Sequence, residues 1–160
     1  MRINYFLFPA ITFWVAYQGG QYTSQGLAVW YQNLLLPVIA PPGWFIGLMW
    51  TIIYTLTTIS ALILWNLTSD IWAQWQGRYW LIWILFPLNA FLNLYWSKLF
   101  FVDNLLGWAV AEMMVLEITN LLLIALSWKF SKIASYLLVP YAVWVGFATY
   151  LAYQIYLLNY

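Results

Sequence analysis

The chain has 160 residues, of which 66% are hydrophobic and 6% charged, whereas soluble domains carry roughly 25% charged residues, so this composition indicates a membrane protein. It contains neither Cys nor His, which excludes disulfides, thiolate or imidazole catalysis and the usual zinc and haem ligands, and we expect no metal and no cofactor. Five basic against four acidic residues leave a net charge of +1, which argues against a nucleic-acid partner.

Apolar stretches alternate with short polar breaks along the whole chain. A helix needs roughly 20 mostly apolar residues to cross a hydrocarbon core about 30 Å thick. Five stretches meet this requirement, at about residues 4–24, 43–66, 79–101, 104–127 and 134–157. Gly, Pro, Asn and charged residues occupy the breaks between them. The sequence therefore predicts an all-α integral membrane bundle of five transmembrane helices, in a single domain over residues 1–160.

The first stretch allows two interpretations. Arg2 precedes an apolar run, as in a signal peptide, but the residues at 18–21 do not form a small-residue cleavage site and the chain stays hydrophobic afterwards. We therefore favour a retained first helix. Trp14 lies deep within it, and its sequence context predicts no specific role.

The loop between the first two helices is unusually apolar. It contains a Leu-Leu-Leu run at 34–36, and its two adjacent prolines, Pro41 and Pro42, suit the first turn of a helix that begins there. An aqueous loop has no need of such residues. It either lies in the lipid headgroup zone, anchored by its aromatic residues, or folds back as a lid over the mouth of the bundle, with Tyr31 and Pro41 beside a cavity.

Helices 2 and 5 each present aromatic side chains on one face. Trp50 and Tyr54 lie one turn apart on helix 2, and Trp144, Phe147 and Ala148 share a face of helix 5. Trp144 is about 15 Å deep at 1.5 Å per residue, too deep for an interfacial anchor, and its indole N–H needs an acceptor there. Such a surface suits a flat ligand, although bundle packing is the commoner use of an aromatic stripe.

The remaining tryptophans have a generic explanation, because Trp collects at membrane interfaces. Those that fall in loops or end turns are Trp44, Trp65, Trp72, Trp75, Trp80, Trp83, Trp108 and Trp128. We assign them no functional signal.

Polar residues at depth must find partners or line a wet cavity. Asn89 and Asn93 share one face of helix 3, where interhelical hydrogen bonding is at least as good an explanation as ligand contact. Glu112 and Glu117 on helix 4 point about 140° apart, so they form no catalytic carboxylate pair. One is expected to face the bundle and the other a subunit partner or the interface.

Basic residues predict the orientation of the bundle. With five crossings, Arg2, Arg78, Lys129 and Lys132 fall on one side and only Lys98 on the other. The positive-inside rule then places the N-terminus in the cytoplasm.

Four motifs together resemble the TspO family, the tryptophan-rich sensory and translocator proteins also called peripheral-type benzodiazepine receptors. They are WYQNLLLP at 30–37, PPGWFIGLMWTIIY at 41–54, NLYWSKLFF at 93–101 and LLVPYAVWVGFATYLAY at 137–153. In order and spacing they cover most of the chain, and their combination is specific. The first helix contributes little to the resemblance.

The resemblance implies a five-helix membrane protein, usually a homodimer, whose pocket lies between the helices under the first loop. Members of the family bind porphyrins such as protoporphyrin, and some bind sterols or synthetic benzodiazepine-site ligands. The positions that match the family's pocket residues are Tyr31, Pro41, Trp50, Asn93, Trp96, Trp144 and Ala148. Tyr54 and Phe147 join them as candidate ligand-binding residues because they share the faces of Trp50 and Trp144.

Two functions remain open from the resemblance. The first is porphyrin binding for sensing, transport or homeostasis, which needs no catalytic residue. The alternative is light-dependent degradation of protoporphyrin, in which Trp50 and Trp144 would be catalytic. Sterol binding is not expected, because no basic residue follows Tyr153 or Tyr156 to complete the proposed cholesterol pattern, itself a weak motif.

Overall fold

The computed structural model describes residues 3–68 and 77–160, which contain five long helices and one short 3-10 turn (Tyr31–Asn33). The helices are α1 (Asn4–Leu27), α2 (Gly43–Thr68), α3 (Arg78–Phe101), α4 (Leu106–Ser127) and α5 (Lys132–Asn159). All five predicted helices are confirmed. By length and composition α2 to α5 are each apolar enough to cross a membrane, whereas α1 has a similar length but is less apolar.

Local sequence explains where several helices begin. The carbonyl oxygen of Pro42 accepts the N–H groups of Phe45 at 2.9 Å and Ile46 at 3.3 Å, so α2 starts directly after the two prolines as predicted. The Ser131 side chain accepts the N–H of Ala134 at 3.2 Å and caps α5. Helix α4 begins later than predicted, because Asn104 takes a left-handed conformation (φ 57°) in the turn after α3.

The helices form a ring in the order α1, α2, α5, α4, α3, and α3 packs back against α1. At one end of the ring, Asn4 Nδ2 of α1 donates to Asn66 Oδ1 of α2 at 3.3 Å. We call this the N-terminal end. The loop between α1 and α2 lies at the opposite end, the loop end, where Tyr31 packs beside Phe101 of α3 and Leu35 contacts Asn159 of α5.

Helices α1 and α3 approach each other closely at Gly26. A Cβ atom added to Gly26 would lie 2.4 Å from the carbonyl oxygen of Phe101, so only glycine fits there. Small-residue spacing at Gly43 and Gly47 of α2 also permits close packing, but a Cβ at either position would meet nothing within 4 Å. The close contact that orders this end of the ring is therefore the one between α1 and α3.

Candidate functional site

A cavity of about 650 Å³ lies at the loop end of the ring, and we call it the loop-side cavity. Helices α1, α2, α3 and α5 and the α1–α2 loop all contribute to its wall. The nine candidate residues named from the sequence all line it: Tyr31, Pro41, Trp50, Tyr54, Asn93, Trp96, Trp144, Phe147 and Ala148. The tertiary structure brings them together, and their role in binding a ligand stays a prediction.

Aromatic rings from three helices form much of this wall. The Trp50 ring is stacked on Tyr54, one turn further along α2, with 5.6 Å between their centroids. Trp96 of α3 lies 6.3 Å from Trp50, at an interplanar angle of 33°. On α5, Trp144 packs 5.6 Å from Phe147. The wall therefore presents ring faces, the surface that a flat apolar molecule packs against best.

Two indole N–H groups in this wall find no acceptor in the described part of the chain. The Nε1 atoms of Trp96 and Trp144 are buried, and neither has a hydrogen-bond partner among the residues that the structure describes. The acceptor that the Trp144 N–H needs is not supplied by the described residues, because its neighbours are largely apolar side chains of the core, such as Phe45 and Val145. An unpaired buried donor costs roughly 1–3 kcal/mol, so an acceptor on a ligand that reached either nitrogen would recover that cost.

Two linked hydrogen bonds involve the lining residues Tyr54 and Asn93 of the loop-side cavity. The Tyr54 hydroxyl donates to Asn93 Oδ1 at 2.7 Å, and Asn93 Nδ2 donates to the Tyr141 hydroxyl at 3.1 Å. This link joins α2, α3 and α5 across the inside of the ring. Tyr141 was not singled out from the sequence, because nothing in its own helix marks it as a partner of Asn93. Asn93 therefore makes the interhelical hydrogen bonds that its sequence position allowed, and it also lines the cavity.

The α1–α2 loop contributes to the wall while part of it stays exposed. The Tyr31 ring lies 5.9 Å from the Phe101 ring, and burial raises the pKa of its phenol above the ordinary value. Leu36 and Pro41 also line the cavity, whereas Val38 is fully exposed. One set of loop residues therefore faces the bundle and another faces outward, and the role of the loop as a lid stays a prediction.

The first helix contributes more to the cavity than its sequence suggested. One face of its second half lines the wall through Ala16, Gly19, Gly20, Thr23, Ser24 and Leu27. The signal that could have found this face is the spacing of the small and polar residues, which recur at helical intervals. Gly43 and Gly47 of α2 line the same cavity, where the missing side chains leave room rather than a helix contact.

The other polar residues singled out from the sequence lie away from this cavity. Asn89 Nδ2 donates to Thr119 Oγ1 at 2.8 Å and to Asn120 Oδ1 at 2.7 Å, which ties α3 to α4. Glu117 is half-buried and accepts from Asn120 Nδ2 at 3.4 Å, whereas Glu112 is buried within the bundle. These contacts have a structural explanation in helix packing.

The tryptophans assigned to interfaces differ in their surroundings. Trp44, Trp80, Trp108 and Trp128 are exposed at helix ends, as interfacial anchors would be, and Trp14 is 55% exposed on α1. Trp65 and Trp83 are only partly exposed, and their rings pack against each other with 5.0 Å between the centroids. The interfacial position of these two stays a prediction, and the Trp83 ring has further aromatic neighbours. Its ring is stacked 5.6 Å from Phe8 and 5.6 Å from Phe86, inside an aromatic cluster. Trp72 and Trp75 lie outside the described residues.

Comparison with known proteins agrees with the four motifs. The model of the TspO/MBR family matches residues 7–158. The tryptophan-rich protein TspO of Bacillus cereus is 35% identical over 130 residues, covering 81% of this chain and 80% of the relative. The protein of the same name from Archaeoglobus fulgidus is 34% identical, with 91% and 90% covered. The human translocator protein is 25% identical, with 78% and 71% covered.

Proposed function

Because this chain belongs to the TspO/MBR family, we propose that its loop-side cavity binds a porphyrin such as protoporphyrin, for tetrapyrrole sensing, transport or homeostasis. One observation carries the proposal. Three tryptophans from three helices, Trp50, Trp96 and Trp144, meet in the wall of a single cavity of about 650 Å³. Ligand pockets commonly measure about 300–1,000 Å³, so the size suits a large flat molecule.

The wall supplies the two kinds of contact that a porphyrin needs. The ring faces of Trp50 and Trp96 lie 33° from parallel, and burying apolar ligand surface against them is worth about 25 cal/mol per Å². A porphyrin also carries polar edge groups, and the N–H groups of Trp96 and Trp144, buried without a partner among the described residues, become donors for them when the rings turn toward the ligand. None of these contacts requires a titrating or nucleophilic side chain.

The α1–α2 loop acts in this proposal as a lid. Tyr31, Leu36 and Pro41 line the cavity from the loop, and Asn159 at the end of α5 holds the loop by its backbone at Leu35. Release of the ligand toward the loop end then requires that these contacts open.

The same proposal includes five membrane crossings. Helix α1 has 24 residues, about 36 Å at 1.5 Å per residue, which is long enough to cross. An N-terminus in the cytoplasm follows from the distribution of basic side chains, with Lys98 alone on the opposite side. A homodimer, implied by the resemblance, and the light-dependent degradation considered for Trp50 and Trp144 stay predictions.

Titration of the purified protein with protoporphyrin tests the binding proposal. The porphyrin's own absorbance should report saturable binding, because removing tryptophans alters the fluorescence of the protein itself. We expect Trp50→Phe combined with Trp144→Phe to raise the Kd at least tenfold. The matched control is Trp14→Phe combined with Trp108→Phe, which changes two exposed indoles outside the cavity wall and should leave the Kd unchanged. Equal Kd values for the two double variants would overturn the proposal.

A further inference from the structure

A second cavity of about 270 Å³ lies toward the N-terminal end of the ring, between α1, α2 and α3, and we call it the N-terminal cavity. Tyr54 and Asn93 line both cavities. Their hydrogen bond, together with the one from Asn93 to Tyr141, therefore forms a partition between the two spaces. Both polar groups of the Asn93 side chain are engaged in it.

The wall of the N-terminal cavity is aromatic and apolar. Phe8 and Phe86 are each stacked on Trp83, with interplanar angles of 26° and 29°. Ala61 and Ala90 also line the cavity, and their small side chains leave space open. A lining that combines ring faces with small residues favours a guest that is itself an aromatic ring.

Several polar side chains interrupt this apolar lining, and most of them have partners: Thr12 bonds to Thr58 at 2.8 Å, and Asn89 donates to Thr119 of α4. Thr57 lines the cavity, and its buried Oγ1 has no hydrogen-bond partner among the described residues. Pro87 also lines it and has no N–H to donate to the carbonyl oxygen of Trp83, one turn earlier in α3. A hydroxyl on a guest can accept from a threonine hydroxyl that changes rotamer, and it can donate to a carbonyl oxygen.

We propose that the N-terminal cavity is a second binding site, which takes a small aromatic alcohol of one or two rings. An apolar cavity of about 150 Å³ holds benzene, so the larger volume here has room for a second ring. The partition makes this site separate from the loop-side cavity. A small guest should therefore bind without competing with a ligand in the loop-side cavity.

Binding of 2-naphthol to the full chain in detergent tests this inference, with the intrinsic fluorescence of naphthol as the signal. We expect saturable binding, weakened at least tenfold by Ala90→Leu, which fills the N-terminal cavity. Ala148→Leu fills the loop-side cavity instead and should leave naphthol binding unchanged. Helical circular dichroism of both variants shows whether each is folded, and the naphthol comparison is independent of whether protoporphyrin binds.

A second variant tests the hydroxyl without filling space. Thr57→Val keeps the shape of the side chain and should weaken 2-naphthol about threefold to tenfold, the effect of one lost hydrogen bond, while naphthalene binds equally to both proteins. The inference is overturned if folded Ala90→Leu binds naphthol as tightly as the unaltered chain. Loss of naphthol binding in Ala148→Leu, or its displacement by protoporphyrin, would place the guest in the loop-side cavity and overturn it equally.

Discussion

Asn159 holds the backbone of Leu35 from both sides: its Oδ1 accepts the Leu35 N–H at 3.0 Å, and its Nδ2 donates to the Leu35 carbonyl oxygen at 3.1 Å. These residues are 124 positions apart in the chain. Nδ2 also donates to the carbonyl oxygen of Ile155 at 2.7 Å, which fixes the amide in the orientation that reaches the loop. The last turn of α5 therefore fastens the loop between α1 and α2.

Replacing Asn159 with Ala should loosen this loop. Two hydrogen bonds worth about 0.5–1.5 kcal/mol each are lost, so we expect hydrogen exchange at the Leu35 amide to accelerate about tenfold. Dissociation of bound protoporphyrin should accelerate with it. Gln154→Ala, on the same helix but outside the cavity wall, is the matched control. Unchanged exchange at Leu35 would contradict the fastening role, whatever the outcome of the porphyrin measurement.

Removing the amide at position 93 should destabilise the bundle. Asn93→Leu leaves the phenols of Tyr54 and Tyr141 without their partner, and such bonds between membrane helices are worth about 0.6–2 kcal/mol. We expect a lower Tm in detergent, measured by circular dichroism. Adding Tyr54→Phe and Tyr141→Phe to the Asn93→Leu variant should lower the Tm little further, because the two hydroxyls have already lost their bonds to Asn93. The control Tyr95→Phe alters an exposed phenol on α3 and should leave the Tm unchanged. If the losses of stability from Asn93→Leu, Tyr54→Phe and Tyr141→Phe were fully additive, the three residues would not share a network.

A methyl group at Gly26 should separate α1 from α3. The added Cβ would lie 2.4 Å from a backbone oxygen, so the helices must move apart, and overpacking of this kind costs about 1–3 kcal/mol. Gly20→Ala is the matched control on the same helix, where a Cβ meets nothing within 4 Å. Because Ala favours a helix over Gly, the control should unfold at the same temperature or higher. Equal Tm values for the two variants would show that the close approach of Gly26 to Phe101 does not contribute to stability.

Glu112→Leu should stabilise the protein. Both carboxylate oxygens of Glu112 are buried without a hydrogen-bond partner in the described part of the chain, and an unpaired buried polar group costs about 1–3 kcal/mol. The control Glu117→Leu removes a group that accepts from Asn120 and should give no such gain. Thermal unfolding of both variants measures the difference. Lower stability of Glu112→Leu would mean that this carboxyl has a partner in the assembled membrane protein.

The local features of this fold were predictable because they depend on neighbouring residues along one helix. Apolar runs of about 20 residues located all five helices. The helical repeat placed Trp50 with Tyr54, and Trp144 with Phe147 and Ala148, on common faces. The depth argument singled out Trp144, and this side chain is 6% exposed in the structure. The same reasoning did not reveal the packing of Trp83, because its distance from a helix end does not show that Phe8 of another helix lies against it.

The sequence by itself determined the membrane class, the five helices and the residue faces, since composition and the 3.6-residue repeat act within each segment. Only the tertiary structure decided that α2 and α3 enclose two cavities, that Tyr141 completes the partition at Asn93, and that Asn159 holds Leu35. The reason is that periodicity specifies which side of a helix is buried but not which helix lies against it. That choice comes from the packing of the whole ring, where one glycine at position 26 sets how closely α1 meets α3.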